Sequence, residues 1–393
     1  GQYSTGFCMF VRFCRYRAKK RDMREIAKNK ERGASVMKKL VALLLSVMMC
    51  FACVSALADT YVSWYTYGDV YLSSVRSEME ADFAKLNLTI NGSDANGNQQ
   101  VQSDFISTAL MNNDCEAIVV NLVESGAIST AQTIMNQIQA AGIPTVWFNR
   151  PVSTNNEEAA NLFLNNPASA FVGTNFEDAG VMQGELIGQY LVEHYNDIDL
   201  NGDGKISYIM FKGDEANQEA IARTALAVEY ANKALVAAGK PEIEFYDASN
   251  ANKYLVDPNG SWSNVFSSEQ MQTVLSMYNE GNGNMVELVI CNNDDMAYGA
   301  VMALQNAGYN HGEGTTAIPV FGVDATDVAK DLINNGYMVG TIKQDNVGMA
   351  DAVATITANL IAGKENKFEG LNENYVIVDN WFVQIPYAVY TGE

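Results

Sequence analysis

The 393-residue chain is short of the residues that most often carry chemistry: it has 2 histidines, 6 cysteines and 7 prolines. The two histidines, His194 and His311, follow no strand-like run, and no Ser-His-Asp, metal-His or phosphate-loop pattern is present. That argues against hydrolytic, zinc and nucleotide chemistry. Four of the cysteines (Cys8, Cys14, Cys50, Cys53) fall in the first 53 residues. Cys115 and Cys291 remain, each beside a β-like run. They read as small buried thiols, and a disulfide would need their strands adjacent. Long apolar runs are also scarce, and only 40–58 approaches the length of a membrane span.

Basic residues are few, 25 against 46 acidic, and they are unevenly placed. Residues 1–58 hold 12 Lys/Arg and 3 Asp/Glu, a net of +9, so the remaining 335 residues carry −30. Such a body repels phosphate backbones, which excludes nucleic acid as a partner and suggests a neutral or cationic ligand. The basic end reads as a targeting segment. Lys38 and Lys39 precede the apolar run 40–52, and Ala56-Leu57-Ala58 is a small-x-small cleavage site, so 37–58 is expected to be a signal peptide and the mature chain to start at Asp59. An uncleaved anchor is the alternative, and Cys53 leaves a lipid anchor open, although Cys50-Phe51-Ala52-Cys53 is a poor lipobox. Residues 1–36 are expected to be an upstream extension foreign to the fold.

What the body does have is one rhythm. Short, continuous apolar runs (Tyr61–Thr66, Ile118–Val123, Pro144–Phe148, Ile206–Phe211, Ile243–Tyr246, Leu288–Cys291, Ile318–Val323, Met338–Ile342) alternate with amphipathic stretches of helical period. Strands apolar on both faces, spaced by helices, specify an α/β fold with doubly wound parallel sheets. There are too many units for one sheet, so two similar lobes joined by a hinge are expected. Lobe one takes 59–172 plus 345–378 and lobe two takes 173–344 plus 379–393, with crossings near Gly173, Lys343 and Val378. Two such lobes make a cleft, and ligands of open α/β sheets bind at the carboxyl ends of the strands.

Those ends are polar. They carry Asp69 and Tyr71, Asn121, then Asn217, Glu219 and Arg223, then Asn293, Asp324 and Gln344, with Trp262 in a nearby loop. Carboxylates accept from hydroxyls, Arg donates, amides do both and aromatic faces cover C–H faces, which is the set a polyhydroxylated neutral ligand needs. Taken singly, each Asp or Asn is equally a helix N-cap. A second motif, Asp199-Leu-Asn201-Gly-Asp203-Gly-Lys205-Ile-Ser207, has the spacing of the front half of an EF-hand calcium loop. Its twelfth position is Met210 where an EF-hand has Glu, so a full site needs a carboxylate from elsewhere; the bland reading is a polar turn.

These residues give the body a resemblance to the galactose/glucose-binding branch of the type I periplasmic sugar-binding proteins of bacterial ABC transporters. It runs from Asp59 to about Tyr390 and is carried by Asn121-Leu-Val, Gly173-Thr174, the Asp199–Gly204 loop, Asn292-Asn293-Asp294 and 318–325. The resemblance implies a non-enzymatic protein of the periplasm or outer cell surface, expected to be monomeric. It would capture galactose or glucose between closing lobes and present the closed form to a membrane permease, with a chemoreceptor as a further reader. It places the sugar on Asp69, Tyr71, Asn121, Asn217, Glu219, Arg223, Trp262, Asn293, Asp324 and Gln344. It also puts a structural Ca2+ on Asp199, Asn201, Asp203, the Lys205 carbonyl, Ser207 and Glu287. The chain departs from the family at Tyr71 (more often Phe), Asn217 and Glu219 (His and Asp), Gln344 (Asn) and Ser207 (Gln). Other readings are a pentose binder, a glycosidase using Asp69, Glu219 or Asp324 as acid and base, and a regulator's sensor half, which would need a DNA-binding headpiece.

Overall fold

The computed structural model describes residues 58–392. The proposed signal peptide, Cys53 and the upstream extension lie outside the described residues, apart from Ala58 at the end of that segment. Among those described, no helix is long and apolar enough to cross a membrane.

The chain alternates strand and helix. The first part runs β1 (Ala58–Trp64), α1 (Val70–Lys85), β2 (Leu88–Asp94), α2 (Gln99–Ala109), β3 (Cys115–Val120), α3 (Ile128–Ala140), β4 (Thr145–Phe148), α4 (Asn156–Leu164) and β5 (Ser169–Gly173). It continues with α5 (Phe176–Ile198), β6 (Ser207–Lys212), α6 (Gln218–Ala237), the two-residue strands β7 (Glu244–Phe245) and β8 (Leu255–Val256), α7 (Asn264–Met277), β9 (Leu288–Cys291), α8 (Asp294–Asn306), β10 (Val320–Asp324), α9 (Asp327–Asn334) and β11 (Gly340–Lys343). It ends with α10 (Asn346–Ile361), β12 (Val376–Val378), β13 (Phe382–Gln384) and β14 (Ala388–Tyr390). Two sheets form, in the orders β12-β13-β5-β4-β3-β1-β2 and β14-β11-β10-β9-β6-β7, with β8 also paired to β6. All pairings are parallel except β12–β13 and β11–β14.

Parallel pairing explains the apolar runs. β4 and β9 are buried at every residue because helices cover both faces. On one face of the first sheet α1 and α10 pack Val75, Met79, Val353 and Ile356 against Val62 and Val119. In the second lobe Gly180, Gly184 and Gly188 form one face of α5, and a Cβ on Gly184 would stand 2.7 Å from the Ala227 carbonyl oxygen of α6. The two helices therefore approach at backbone distance. Cys115 and Cys291 are free and buried, on strands of different sheets.

The chain crosses between the sheets three times: between β5 and α5, between β11 and α10, and between β13 and β14. The third crossing differs from its expected place after Val378. Phe382–Gln384 pairs in parallel with Phe171–Gly173 of the first sheet, so the first lobe keeps the chain through Gln384 and the crossing lies at 385–387. Trp381 anchors that return, its ring stacked on Phe163 at 5.2 Å. Edge strand β2 also differs from expectation: with the sequence Leu-Thr-Ile-Asn-Gly-Ser-Asp and only one fully buried residue, it lacks the apolar run that marks the others.

Candidate functional site

The carboxyl ends of the two sheets face each other across a cleft that is closed in this structure. Tyr65 Oη donates to the Gly260 carbonyl at 2.7 Å, Arg150 stands 3.7 Å from the Asp214 carboxylate, and Asn217 Nδ2 donates to Ser125 Oγ at 3.4 Å, all from one lobe to the other. Between them lies about 330 Å³ of atom-free space lined by Asp69, Tyr71, Asn149, Arg150, Asn217, Glu219, Arg223, Trp262, Asn293, Asp324 and Gln344.

Nine of the ten residues singled out for the sugar meet there; Asn121 does not. It follows β3 and is fully buried, and its amide is consumed by backbone: Oδ1 accepts from Tyr65 N at 3.1 Å, and Nδ2 donates to the Phe148 carbonyl at 3.2 Å and Asn149 Oδ1 at 3.4 Å. Asn121 thus braces the end of β4, and the amide that reaches the cavity is Asn149, at the end of that strand. Arg150 follows it, held by the Leu122 and Val123 carbonyls at 2.7 and 3.0 Å, with its guanidinium 3.9 Å from the Tyr65 ring. Strand ends had pointed to both positions, since Pro144–Phe148 was legible as a strand.

Helix N-termini set much of the rest. Asp69 caps α1, its carboxylate accepting from Leu72 N at 2.8 Å; Asn217 caps α6 through Glu219 N at 2.8 Å and Ala220 N at 3.2 Å; Asn293 caps α8 through Met296 N at 2.9 Å. Capping and cavity lining coincide at these residues. Each cap fixes the side chain at the strand end and leaves its other polar atom toward the cleft or a neighbour.

Arg223 is the hub. It projects from the first turns of α6, 2% exposed, with Nη1 donating to the Asn292 carbonyl at 2.9 Å and Nη2 to Gln344 Oε1 at 3.0 Å and Tyr387 Oη at 3.1 Å. The Glu219 carboxylate is 3.7 Å away. Burial acts against the guanidinium charge, but Tyr387, Glu219 and Asp324 outweigh it and keep the pKa raised. Tyr387, in the third crossing, is a site-supporting residue that no motif announced; its hydroxyl also shares a hydrogen bond with Thr174 of the first crossing at 2.9 Å. Trp262 lies over Gly213, and its ring centroid is 5.7 Å from the Arg223 guanidinium.

Asp324 closes β10 in an uncommon conformation, φ +128°, followed by Ala325 at φ +58°. The turn is pinned by buried Asp294, whose carboxylate accepts from Thr341 Oγ1 at 2.6 Å and Thr326 N at 2.8 Å. Burial raises the pKa of Asp69 and, more strongly, of Asp324, where Arg223 pulls the other way. Three buried donors of the lining have no partner: Tyr71 Oη, Arg223 Nε and Gln344 Nε2. A cavity that presents carboxylates and unspent donors together is complementary to hydroxyl groups, which satisfy both.

The calcium-loop residues also come together, though largely through backbone. Asp199 Oδ2 accepts from Gly204 N at 2.9 Å, Asn201 Oδ1 from Asp203 N at 2.9 Å, and Asp203 Oδ1 from Lys205 N at 2.8 Å. Glu287, just before β9, reaches the loop as expected and accepts from Leu200 N, Asn201 N and Ser207 N at 2.8, 3.2 and 2.9 Å. Ser207 Oγ donates to the Met285 carbonyl. Among the described residues no three acidic, His or Cys side chains stand as a ready metal cluster, because the loop's own N–H groups occupy the carboxylates. One oxygen is left over: Asp199 Oδ1 is buried without a partner.

Comparison with known proteins agrees with this architecture. A family profile described as "Periplasmic binding protein domain" matches residues 60–365. The D-galactose/methyl-galactoside binding periplasmic protein of Haemophilus influenzae is 30% identical over 306 residues, covering 77% of this chain and 81% of that protein. Among solved structures, a solute-binding protein of an ABC transporter from Bacillus halodurans with bound myo-inositol aligns with TM-score 0.62 and 21% identity over 86% of this chain and 95% of that one. Another from Clostridium phytofermentans with bound β-D-glucose aligns with TM-score 0.63 and 17% identity over 85% and 94%. With two hinged α/β lobes closed on a polar cavity, the chain belongs to the periplasmic binding protein family, whose members are solute-binding proteins of transporters and not enzymes.

Proposed function

We propose that the protein captures a hexose, galactose or glucose, in the interlobe cavity and delivers it to a membrane ABC importer. The observation that carries this reading is the set of three unpartnered buried donors, Tyr71 Oη, Arg223 Nε and Gln344 Nε2, in one cavity with the carboxylates of Asp69, Glu219 and Asp324. Each sugar hydroxyl accepts from a donor and donates to a carboxylate, and Tyr71 and Trp262 are placed to cover the ring's C–H faces. Kinship supports the hexose: the Haemophilus relative is named for D-galactose. Closure about the three crossings would bring Asp69 and Asn149 of the first lobe onto a sugar held by Arg223 and Asp324 of the second, and the closed surface is what the importer reads. Export by the 37–58 segment belongs to the same reading, as does a chemoreceptor as a further reader of the closed form. Titration calorimetry with glucose and galactose tests it. Heat of binding together with a change in Trp fluorescence is expected, and no heat with any hexose or pentose overturns it. Heat with a pentose alone moves the assignment to the pentose alternative.

In the same reading the Asp199 loop holds a structural Ca2+. The fit rests on Asp199 Oδ1, a buried carboxylate oxygen without a partner, in a loop whose remaining donors are Asn201, Asp203, the Lys205 carbonyl, Ser207 and Glu287. A cation there would tie the end of α5 to the strand entering at Glu287 and stabilise the second lobe by linkage. EDTA is expected to lower the melting temperature by about 5 °C or more, and added Ca2+ to restore it. A melting curve indifferent to both leaves the loop a polar turn.

A further inference from the structure

Beside the polar cavity lies a second space of different chemistry. It encloses about 430 Å³ of atom-free space, and Asn149 and Glu219 border it as well as the polar cavity. Its walls are apolar: Val152, Ala159, Phe171, Phe176, Trp381 and Phe382. Phe176 begins α5 just past the first crossing and Phe382 lies on β13 before the third, so the space sits between the hinge and the bound solute. A well-filled core leaves few voids larger than a water molecule. One polar atom in the wall is unsatisfied: Trp381 is 7% exposed, and its indole N–H is buried without a partner. Thr174, also on the wall, donates to Glu219 at 3.2 Å, which fixes that carboxylate at the border of the two spaces.

From this juxtaposition we propose that the site takes sugars bearing an apolar substituent, glycosides whose non-sugar group enters the space between Ala159 and Trp381 while the ring occupies the polar cavity. The inference rests on the sugar reading of that cavity. Its physical basis is that a substituent leaving the ring beside Glu219 meets aromatic and aliphatic walls rather than water, and that the Trp381 N–H offers a donor to one acceptor on the substituent. A cavity built for an unsubstituted ring alone has no use for an apolar annex with an unspent donor.

The test is calorimetry with the free hexose that gives the larger heat and with its α- and β-4-nitrophenyl glycosides. One glycoside anomer is expected to bind within threefold of the free sugar or more tightly. In Ala159→Phe, which fills the annex, its affinity should fall at least tenfold while that of the free sugar stays within twofold. Asn156→Trp repeats the test from the exposed rim of the annex, without burden on the core, should the first variant fold poorly. Both anomers binding more than threefold weaker than the free sugar overturns the proposal, as does a variant that weakens both ligands alike or neither. Silence with the free sugar and the glycosides together would overturn the sugar reading itself; heat from the free sugar alone overturns only the annex.

Discussion

Arg223→Met is expected to weaken sugar binding at least 100-fold, with the protein still folded. The guanidinium is the one cation in direct reach of the Glu219 carboxylate, it is among the charges that oppose the raised pKa of Asp324, and it joins three segments by hydrogen bonds to Asn292, Gln344 and Tyr387. Methionine fills similar volume but leaves two buried carboxylates without their counter-charge. Removing one partner of a buried pair costs about 3–5 kcal/mol. The carboxylates can relieve part of that by taking up protons, and a protonated Asp324 or Glu219 is a poorer acceptor for a sugar hydroxyl. The loss therefore appears in affinity, where 100-fold corresponds to about 2.7 kcal/mol. Arg223→Lys keeps the charge but not the planar fork that reaches Asn292, Gln344 and Tyr387 together, and is expected to recover at most a tenth of the wild-type affinity. Calorimetry on both variants, beside a thermal melt that establishes folding, decides the matter; a folded Met variant within fivefold of wild type would remove Arg223 from the site.

How far the site could be read from the chain depends on which polar atoms are free once the fold has formed. Continuous apolar runs marked the central strands because both faces are covered, and the strand-end rule then gathered Asp69, Arg223, Asn293 and Asp324 without any geometry. β2 escaped because an edge strand with one fully buried residue has no such run. Asn121 looked as promising as Asn149, both being amides that follow a buried strand; the difference is that the Tyr65 N–H and the Phe148 carbonyl claim the Asn121 amide. That competition is decided by strands β1 and β4 coming together around β3, a contact across 56 residues in one direction and 27 in the other, which no local pattern encodes. Tyr387 escaped for the same reason: it enters the site only because β13 returns to the first sheet and the crossing after it runs beside Arg223 and Thr174.

Gly213→Ala is the second large effect, and it acts without touching polar chemistry. Gly213 follows β6, and its N–H donates to Asn292 Oδ1 at 3.1 Å, so its backbone is fixed from behind. In front lies the Trp262 indole: a Cβ built on Gly213 would stand 2.1 and 2.2 Å from two ring carbons, far inside van der Waals contact. The ring has little freedom to yield. Trp262 sits at φ +57°, an uncommon conformation for a bulky residue, and is buried, with its carbonyl held by Asn293 Nδ2 at 3.4 Å. A single methyl group must therefore push the indole out of its seat beside Arg223 and into the space where a sugar ring would lie. Affinity for the hexose is expected to fall at least 30-fold, while the global fold, whose core clusters lie on the strands behind, should lose no more than about 3 kcal/mol, the usual upper range for an overpacked site. The fluorescence change on adding sugar should shrink in parallel, because the moved Trp262 no longer faces the ligand. Trp262→Phe separates the two contributions: it gives the methyl group room, so the double variant Gly213→Ala, Trp262→Phe should bind no more weakly than Trp262→Phe alone. If the double variant instead loses a further factor of ten, the glycine serves the backbone turn and not the indole, and the steric account fails.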